Sequence, residues 1–275
     1  MHPRPAHAAR LLASVAVAAG LALSAAGCTT TGSDTTGSIG TSETPRSEAT
    51  RSEAGWRQSL EVWAGRYRDN PGDADVAIAY ARALRATDQR AQAVAVLEQA
   101  SMRNPRNMPL LGAYGRALAD AGNYAQALDA LSRAHTPDQP DWRILNAQGA
   151  VLDQMGRHAE AQRIYSAALK IVPDEPSVLS NLGLSYALMK DLKHAEVTLR
   201  RAVAQPKANP KVRQNLALVV GLRGRFAEAE SIARADLPEG EAAANVGYLR
   251  QMLSQKSEWQ KSGRQPYVPP PDTGT

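Results

Sequence analysis

Small and apolar side chains recur along this chain every 34 residues. The five-residue segment that starts at Gln89 aligns without gaps with the segments that start 34, 68, 102 and 136 residues later. The fifth residue of every segment is alanine. These alanines are Ala93, Ala127, Ala161, Ala195 and Ala229. Self-similarity at a fixed period of this length predicts stacked structural repeats, each of which buries its apolar face only against its neighbours.

Two further columns of small residues predict that each repeat is a helical hairpin. In four repeats another alanine follows seven residues after the alanine of the first column. The position twelve residues before that first-column alanine holds only Ala or Gly. Helices that cross closely need small residues at the crossing point, since a larger side chain forces them apart. The two columns are Ala100, Ala134, Ala168 and Ala202, and Ala81, Gly115, Gly149, Gly183 and Ala217.

Glycine and proline mark where the helices of each hairpin end. The turn position between the two helices is glycine in three repeats, as expected for a left-handed residue after a helix, and Lys190 suits it least. Prolines follow the second helices and stop them. The turn residues are Asp88, Gly122, Gly156, Lys190 and Gly224, and the prolines are Pro71, Pro105, Pro140, Pro173 and Pro206.

This combination of period, paired helices and small residues resembles the tetratricopeptide repeat. The resemblance implies an all-α fold, a right-handed superhelical solenoid of about five repeats with capping helices. Asp236 and Glu241 make the last repeat depart most from the pattern. The five copies are 74–107, 108–141, 142–175, 176–209 and 210–243.

Both ends of the solenoid are expected to be covered, because an uncovered repeat exposes its apolar face. Trp56, Leu60, Trp63 and Tyr67 form one helical stripe, which predicts the second helix of a degenerate leading repeat. Residues 242–261 predict a capping helix through Val246, Leu249, Met252 and Leu253. The solenoid domain is therefore expected to span 56–261.

The first 27 residues predict a secretory signal peptide. Arg4 and Arg10 precede the thirteen-residue apolar run 11–23, which is too short to span a bilayer. The segment 24–28 ends at Cys28 and resembles a bacterial lipobox, although Ala25 replaces the usual leucine. That resemblance implies signal cleavage and lipidation of Cys28. Thr29 in the next position implies sorting to the outer membrane, and simple export after cleavage near Ala26 is the alternative.

Two segments outside the repeats lack the apolar residues that a folded core needs. Residues 28–55 contain Cys28, the expected lipidation site, and a Thr-, Ser- and Gly-rich linker in which Ile39 is the only large apolar side chain. Such a linker spans about 30 Å root-mean-square. Residues 262–275 are expected to form a proline-rich disordered tail, with docking as a polyproline II peptide as the alternative.

Composition and charge exclude several classes of chemistry. One cysteine excludes an internal disulfide framework and multi-cysteine metal sites, and the few histidines lack metal-ligand spacing, so no metal and no cofactor are expected. Asp120 and Asp153 could act as an acid and base pair, but solvated helix charges are the commoner arrangement and no second catalytic motif accompanies them. His158 and His194 are expected to be exposed near interhelix turns. We therefore expect that this protein is not an enzyme.

Nucleic-acid binding is not expected either. Removal of residues 1–27 takes two arginines and no acid from the chain and lowers its net charge from +5 to +3. The remaining basic residues are interleaved with acidic ones rather than forming a continuous run.

The expected binding site is the concave face, which the first helix of each repeat lines in this architecture. Asparagine both donates and accepts hydrogen bonds, so a row of asparagines could bind the backbone of an extended peptide; ordinary solvated faces are the alternative. The candidates are Arg82, Arg116, Asn146, Asn181, Leu184, Leu188, Asn215, Leu218 and Leu222.

The stretch 215–230, with 233–237 and 242–246, resembles the TadD lipoproteins of tight-adherence (Flp-type) pilus systems. The resemblance implies an outer-membrane lipoprotein, anchored on the periplasmic face, that helps the pilus secretin or another Tad component to assemble. A scaffold for cell-wall hydrolases or another envelope machine is one alternative. An exported enzyme with an unrecognised site is the other.

Overall fold

The structure is a computed structural model that describes residues 53–261, with side chains up to 255. The expected signal peptide, Cys28, most of the linker and the tail 262–275 lie outside the described residues. The described part contains helices and no strand. The helices are α1 (Glu53–Asp69), α2 (Ala74–Ala86), α3 (Arg90–Arg103), α4 (Met108–Asp120), α5 (Tyr124–Ser132), α6 (Trp142–Gln154), α7 (His158–Ile171), α8 (Pro176–Leu188), α9 (Leu192–Val203), α10 (Pro210–Leu222), α11 (Phe226–Ala233) and α12 (Glu239–Lys261).

The helices pair as five hairpins that match the five expected repeats, from α2–α3 to α10–α11. Each helix packs against the next helix along the chain. Each first helix also packs against the first helix of the following repeat. The first helices α2, α4, α6, α8 and α10 therefore form one layer of an all-α repeat solenoid, and the second helices form the other.

Side-chain caps start several first helices where the sequence supplies a short polar residue. Asn107 accepts a hydrogen bond from the backbone N–H of Leu110 at 3.0 Å, and Asp141 accepts one from Arg143 at 2.7 Å. Pro176 and Pro210 follow capping residues and occupy the first turn, where no intrahelical N–H is needed. These caps set where each hairpin begins.

The expected close crossings lie where the small residues predicted them. A Cβ atom at Gly149 would lie 2.4 Å from the ring of Tyr165, and one at Gly115 would lie 2.6 Å from Leu131 Cγ. Gly183 meets Leu199 in the same way. Each contact joins the two helices of one hairpin, so a side chain at these positions would separate them.

The turns between paired helices also agree with the expectation. Gly122, Gly156 and Gly224 have φ between +73° and +82°, and Asp88 and Lys190 adopt φ of 60° and 64°. Lys190 therefore accepts the left-handed conformation that the turn requires, at a steric cost that glycine would avoid.

Additional helices cover both ends of the stack. α1 begins at Glu53, and its Leu60, Trp63 and Tyr67 pack against the core of the first repeat. At the other end Val246 of α12 is buried and Leu249 lies over Gly221, whereas Met252 is 45% exposed. Asp236, which departs from the repeat pattern, binds Arg213 of α10 in a bidentate pair. None of the helices described within 53–261 combines the length and apolarity that crossing a membrane requires.

Substituting the repeat alanines should overpack the hairpins. Ala161 and Ala195 are fully buried, whereas Ala159, two residues earlier in α7, is exposed. We expect Ala161→Trp and Ala195→Trp each to lower the free energy of unfolding by at least about 1 to 3 kcal/mol, and Ala159→Trp to change it much less. Urea denaturation measures all three variants. Equal midpoints would show that the helix faces are misassigned.

Candidate interaction surface

One position of the first helices recurs through the solenoid and changes character along it. Arg82 and Arg116 occupy this position in the first two repeats, Ala150 in the third, and Leu184 and Leu218 in the last two. Both arginines are partly buried, Ala150 is buried, and Leu218 is 43% exposed. This position is therefore basic in the first two repeats and apolar in the later ones.

Four leucines on α8 and α10 form what we call the leucine patch: Leu184, Leu188, Leu218 and Leu222. On each helix the two leucines are four residues apart and lie on one face, and the two pairs are related by the 34-residue repeat. Leu188 is 54% exposed, while Leu184 and Leu222 are partly buried. Exposed apolar side chains grouped in this way mark an interaction surface more often than isolated ones do.

The asparagines occupy a different environment from the one expected. Asn181 and Asn146 are both only 4% exposed, and the Asn181 amide donates to Asn146 Oδ1 at 3.0 Å. The expectation that these amides face solvent is wrong, because each finds its partner on the neighbouring first helix. Asn215 is partly buried and donates to Ser180 Oγ at 2.9 Å.

These bonds connect consecutive repeats at a common spacing. Asn146 with Asn181, Ser180 with Asn215, and the Arg85 Nε donor with Asp120 at 2.5 Å are all 35 residues apart. A spacing one greater than the repeat places the partners on adjacent first helices. The polar residues of this layer thus fix the register of one repeat on the next.

Asp153, near the end of α6, is the most heavily bonded carboxylate of this layer. It accepts hydrogen bonds from Ser185 Oγ at 2.8 Å and Tyr165 OH at 3.0 Å, and it pairs with His158 Nδ1 at 2.8 Å. Its side chain is 9% exposed, so the expectation of a solvated helix charge is wrong here. Burial, followed by the Asp153 carboxylate, raises the pKa of Tyr165 well above its usual value.

This arrangement fastens the end of α6 to the neighbouring helices α7 and α8. Ser185 is fully buried and donates to Asp153 rather than to a histidine. Asp120 pairs with Arg85 and does not form the acid and base pair with Asp153. His194 is exposed as expected, whereas the His158 side chain is only 25% exposed. Within residues 53–255 no cluster of histidine, aspartate or glutamate could hold a metal ion.

An ion cluster around the buried Glu196 joins the last two repeats, and sequence reasoning missed it. Glu196 of α9 is 6% exposed in its side chain and binds Arg200, Arg223 and Arg225. Arg223 and Arg225 flank the left-handed Gly224, so the turn of the last repeat is fastened to the preceding one. Burial opposes ionisation of Glu196, but hydrogen bonds from Arg225, Arg200 and Arg223 outweigh it and lower its pKa to about 2.

Comparison with known proteins agrees with this architecture. A tetratricopeptide-repeat family model matches residues 88–151. No curated protein sequence matches the chain. The match and the helix arrangement together define a tetratricopeptide-repeat solenoid, a class in which stacked repeats form extended binding surfaces and which generally serves as a scaffold rather than as an enzyme.

Solved structures share this fold at low sequence identity. A tetratricopeptide repeat protein from Parabacteroides merdae has a TM-score of 0.62 and 12% identity over 71% of this chain and 78% of that one. PilW, a type IV pilus biogenesis factor, has a TM-score of 0.61 and 17% identity over 70% and 91%. The APC/C hetero-tetramer Cut9–Hcn1 gives 0.57 and 16% over 72% of this chain, which spans 40% of that protein. At these identities the likeness shows the fold alone.

The buried amide pair should contribute to stability. Asn181→Ala removes the donor to Asn146 and leaves a buried carboxamide without this partner, which should lower the free energy of unfolding by about 1 to 3 kcal/mol. The double variant with Asn146→Ala should cost less than the sum of the single changes. Urea denaturation tests this, with Gln214→Ala on the exposed face of α10 as control. Equal midpoints for Asn181→Ala and the control would contradict it.

Glu196 should make the stability of the solenoid depend on acid pH. Its pKa is lowered from 4.5 to about 2 by folding, so its stabilising effect is complete above the unfolded value and is lost as pH falls through the folded value. The free energy of unfolding of Glu196→Gln should therefore fall less between pH of about 5 and about 2 than that of the unmodified protein. Exposed Glu61→Gln is the control. Parallel pH profiles for both variants would contradict the assignment.

Proposed function

We propose that this protein is a lipid-anchored scaffold that supports secretin localisation or assembly in a Tad (Flp-type) pilus system. The observation that carries this proposal is the leucine patch, an exposed apolar surface on a rigid repeat framework. A surface of this kind suits the binding of another protein and offers no chemistry of its own. The fold shared with the pilus biogenesis factor PilW and the resemblance of 215–246 to TadD lipoproteins support the choice of machine.

The order of segments along the chain suits such a role. Cys28 would carry the lipid on the periplasmic face of the outer membrane, and the linker that follows would let the solenoid stand about 30 Å from the bilayer. The scaffold then holds its partner by apolar contact near the membrane. The secretin, which must reach or insert into that membrane, is the partner that we assign.

The carboxylates that bond neighbouring helices support a passive role. Asp153, Glu196 and Asp120 each have hydrogen-bonding partners inside the solenoid, which fix neighbouring helices to one another. A binding scaffold needs this rigidity, because a preformed surface loses less conformational entropy when it binds.

Deletion of the protein should leave the pilus subunit synthesised but not displayed, because the secretin is mislocalised or unassembled.

Complementation with Cys28→Ser should fail and leave the protein outside the membrane fraction. Leu188→Asp with Leu218→Asp should also fail, because two carboxylates would be desolvated in the bound interface. Val197→Asp, which places the same charge on an exposed residue of α9, should restore display.

Immunoblots of fractionated envelopes for the secretin and counts of surface pili provide the measurements. Normal surface pili in the deletion strain would overturn the pilus assignment. Palmitate uptake by Cys28→Ser would overturn the lipid anchor separately.

A further inference from the structure

The terminal helix α12 continues the layer of first helices beside the leucine patch. It packs against both α10 and α11, as the first helix of a further repeat would. Ala242 clusters with Ala217 of α10, and Leu249 lies over Gly221 further along α10, so the two helices run in the same direction. α12 therefore occupies the next place in the row that α8 and α10 form.

One flank of α12 carries exposed apolar side chains and faces the same side of the solenoid as the leucine patch. The Arg250 guanidinium lies 4.8 Å from the centre of the Phe226 ring at the start of α11, so its flank faces the layer of second helices. Tyr248 and Met252 each stand two residues from Arg250 and therefore lie about 160° around the helix from it. They are 48% and 45% exposed. The leucine patch together with Tyr248 and Met252 forms what we call the extended patch.

We propose that the extended patch binds an amphipathic α-helix of the partner protein and not an extended segment. This inference rests on the proposed function, since it takes the leucine patch as the binding surface, but it requires no particular partner. It replaces the expectation from the sequence that a row of asparagines binds the backbone of an extended peptide.

The hydrogen bonds between repeats favour a helical occupant. An extended peptide needs partners for its backbone N–H and C=O groups, because such groups are destabilising when they are buried unpaired. Asn146 and Asn181 are buried and bonded to each other, and the Asn215 amide donates to Ser180. These amides are therefore not available to a peptide backbone. An α-helix bonds its own backbone internally and presents side chains to an apolar surface.

The spacing of the extended patch suits a helix that lies across the first helices. Packed neighbouring helices are about 10 Å apart, and seven residues of an α-helix rise about 10.5 Å. Apolar residues about seven positions apart on the partner can therefore meet α8, α10 and α12 in turn. The first helices line the concave side of the superhelix in this architecture. Two concave surfaces cannot close on each other, so a second copy of this chain is the poorer occupant.

The charged residues next to the leucine pairs determine the expected charge of the partner. Lys190 lies two residues after the first pair and Arg223 directly after the second, and both are exposed. Asp191 is bonded to His194. The cluster of three arginines and two glutamates around Glu196 retains a net positive charge. Acidic residues beside the apolar stripe of the partner helix would complement this border.

Binding of synthetic peptides to the purified full chain tests the proposal by fluorescence anisotropy. The probe is a labelled peptide of about 18 residues, with leucines in a heptad stripe and glutamates beside them. One control peptide has two interior prolines, which break the helix, and the other has lysine in place of each glutamate. We expect the probe to bind at least about tenfold more tightly than the proline peptide, and more tightly than the lysine peptide.

Variants of the chain locate the bound helix. Leu188→Asp with Leu218→Asp should weaken binding of the probe at least about tenfold, and Met252→Asp should weaken it as well, because each buries a carboxylate in the interface. Val197→Asp is the control and should bind like the unmodified protein. If the urea midpoint of the double aspartate variant falls below that of the control, Leu188→Ser with Leu218→Ser takes its place.

Several results would contradict the inference. Equal affinity for the probe and the proline peptide would indicate an extended occupant, and unchanged affinity in Met252→Asp would remove α12 from the surface. A dimer that only the double leucine variant dissociates would show that a second copy covers the patch. Sedimentation with phosphatidylglycerol vesicles that only this variant loses would indicate a lipid surface. Pilus display is not measured here, so failure of this inference is separable from failure of the proposed function.

Discussion

The closeness with which the two helices of each hairpin cross is the constraint on which the rest of the solenoid depends. At Gly115, Gly149 and Gly183 the opposing side chains occupy the space that a Cβ atom would need. Opposite them lie Leu131, Tyr165 and Leu199, whose bulk fills the volume that the glycine leaves. Small and large residues therefore alternate across the crossing, and the hairpin acquires a fixed geometry that repeats every 34 residues. Regular stacking follows because each repeat presents nearly the same surface to the next.

This constraint explains why so much of the fold could be predicted. A position that tolerates only Ala or Gly leaves a trace in a single sequence, and so does a turn that needs positive φ. Even Lys190, the least suitable turn residue, adopts φ of 64° because its neighbours impose the same turn. Backbone geometry and close packing restrict residue type strongly, so the five hairpins could be predicted from spacing. The helices α1 and α12 were predicted from their apolar stripes.

The contacts between repeats were much harder to predict. In the sequence, Asn146 and Asn181 cannot be distinguished from asparagines that face solvent. In the structure they are buried and pair with each other across the 35-residue spacing. Glu196 lies between Ala195 and apolar Leu199 on α9, a position at which a charge signals either exposure or a buried ion pair. The arginines at 223 and 225, on both sides of a glycine turn, were the available signal, but they identify no partner without the register of the next repeat. Pairing between distant residues depends on the stacked geometry, which one sequence does not display.

The polar bonds and the leucine patch are connected through this stacking. Leu184 and Leu188 lie on α8, and Leu218 and Leu222 lie on α10, so the spacing of the two pairs depends on how these helices are fixed. Ser180 with Asn215 joins them directly, and the Glu196 cluster fastens the turn after α10 to α9. Removal of either contact would weaken the restraint on the spacing of the two leucine pairs. Residues outside the leucine patch thus help to determine whether this apolar surface is preformed, and a preformed surface loses less conformational entropy when it binds.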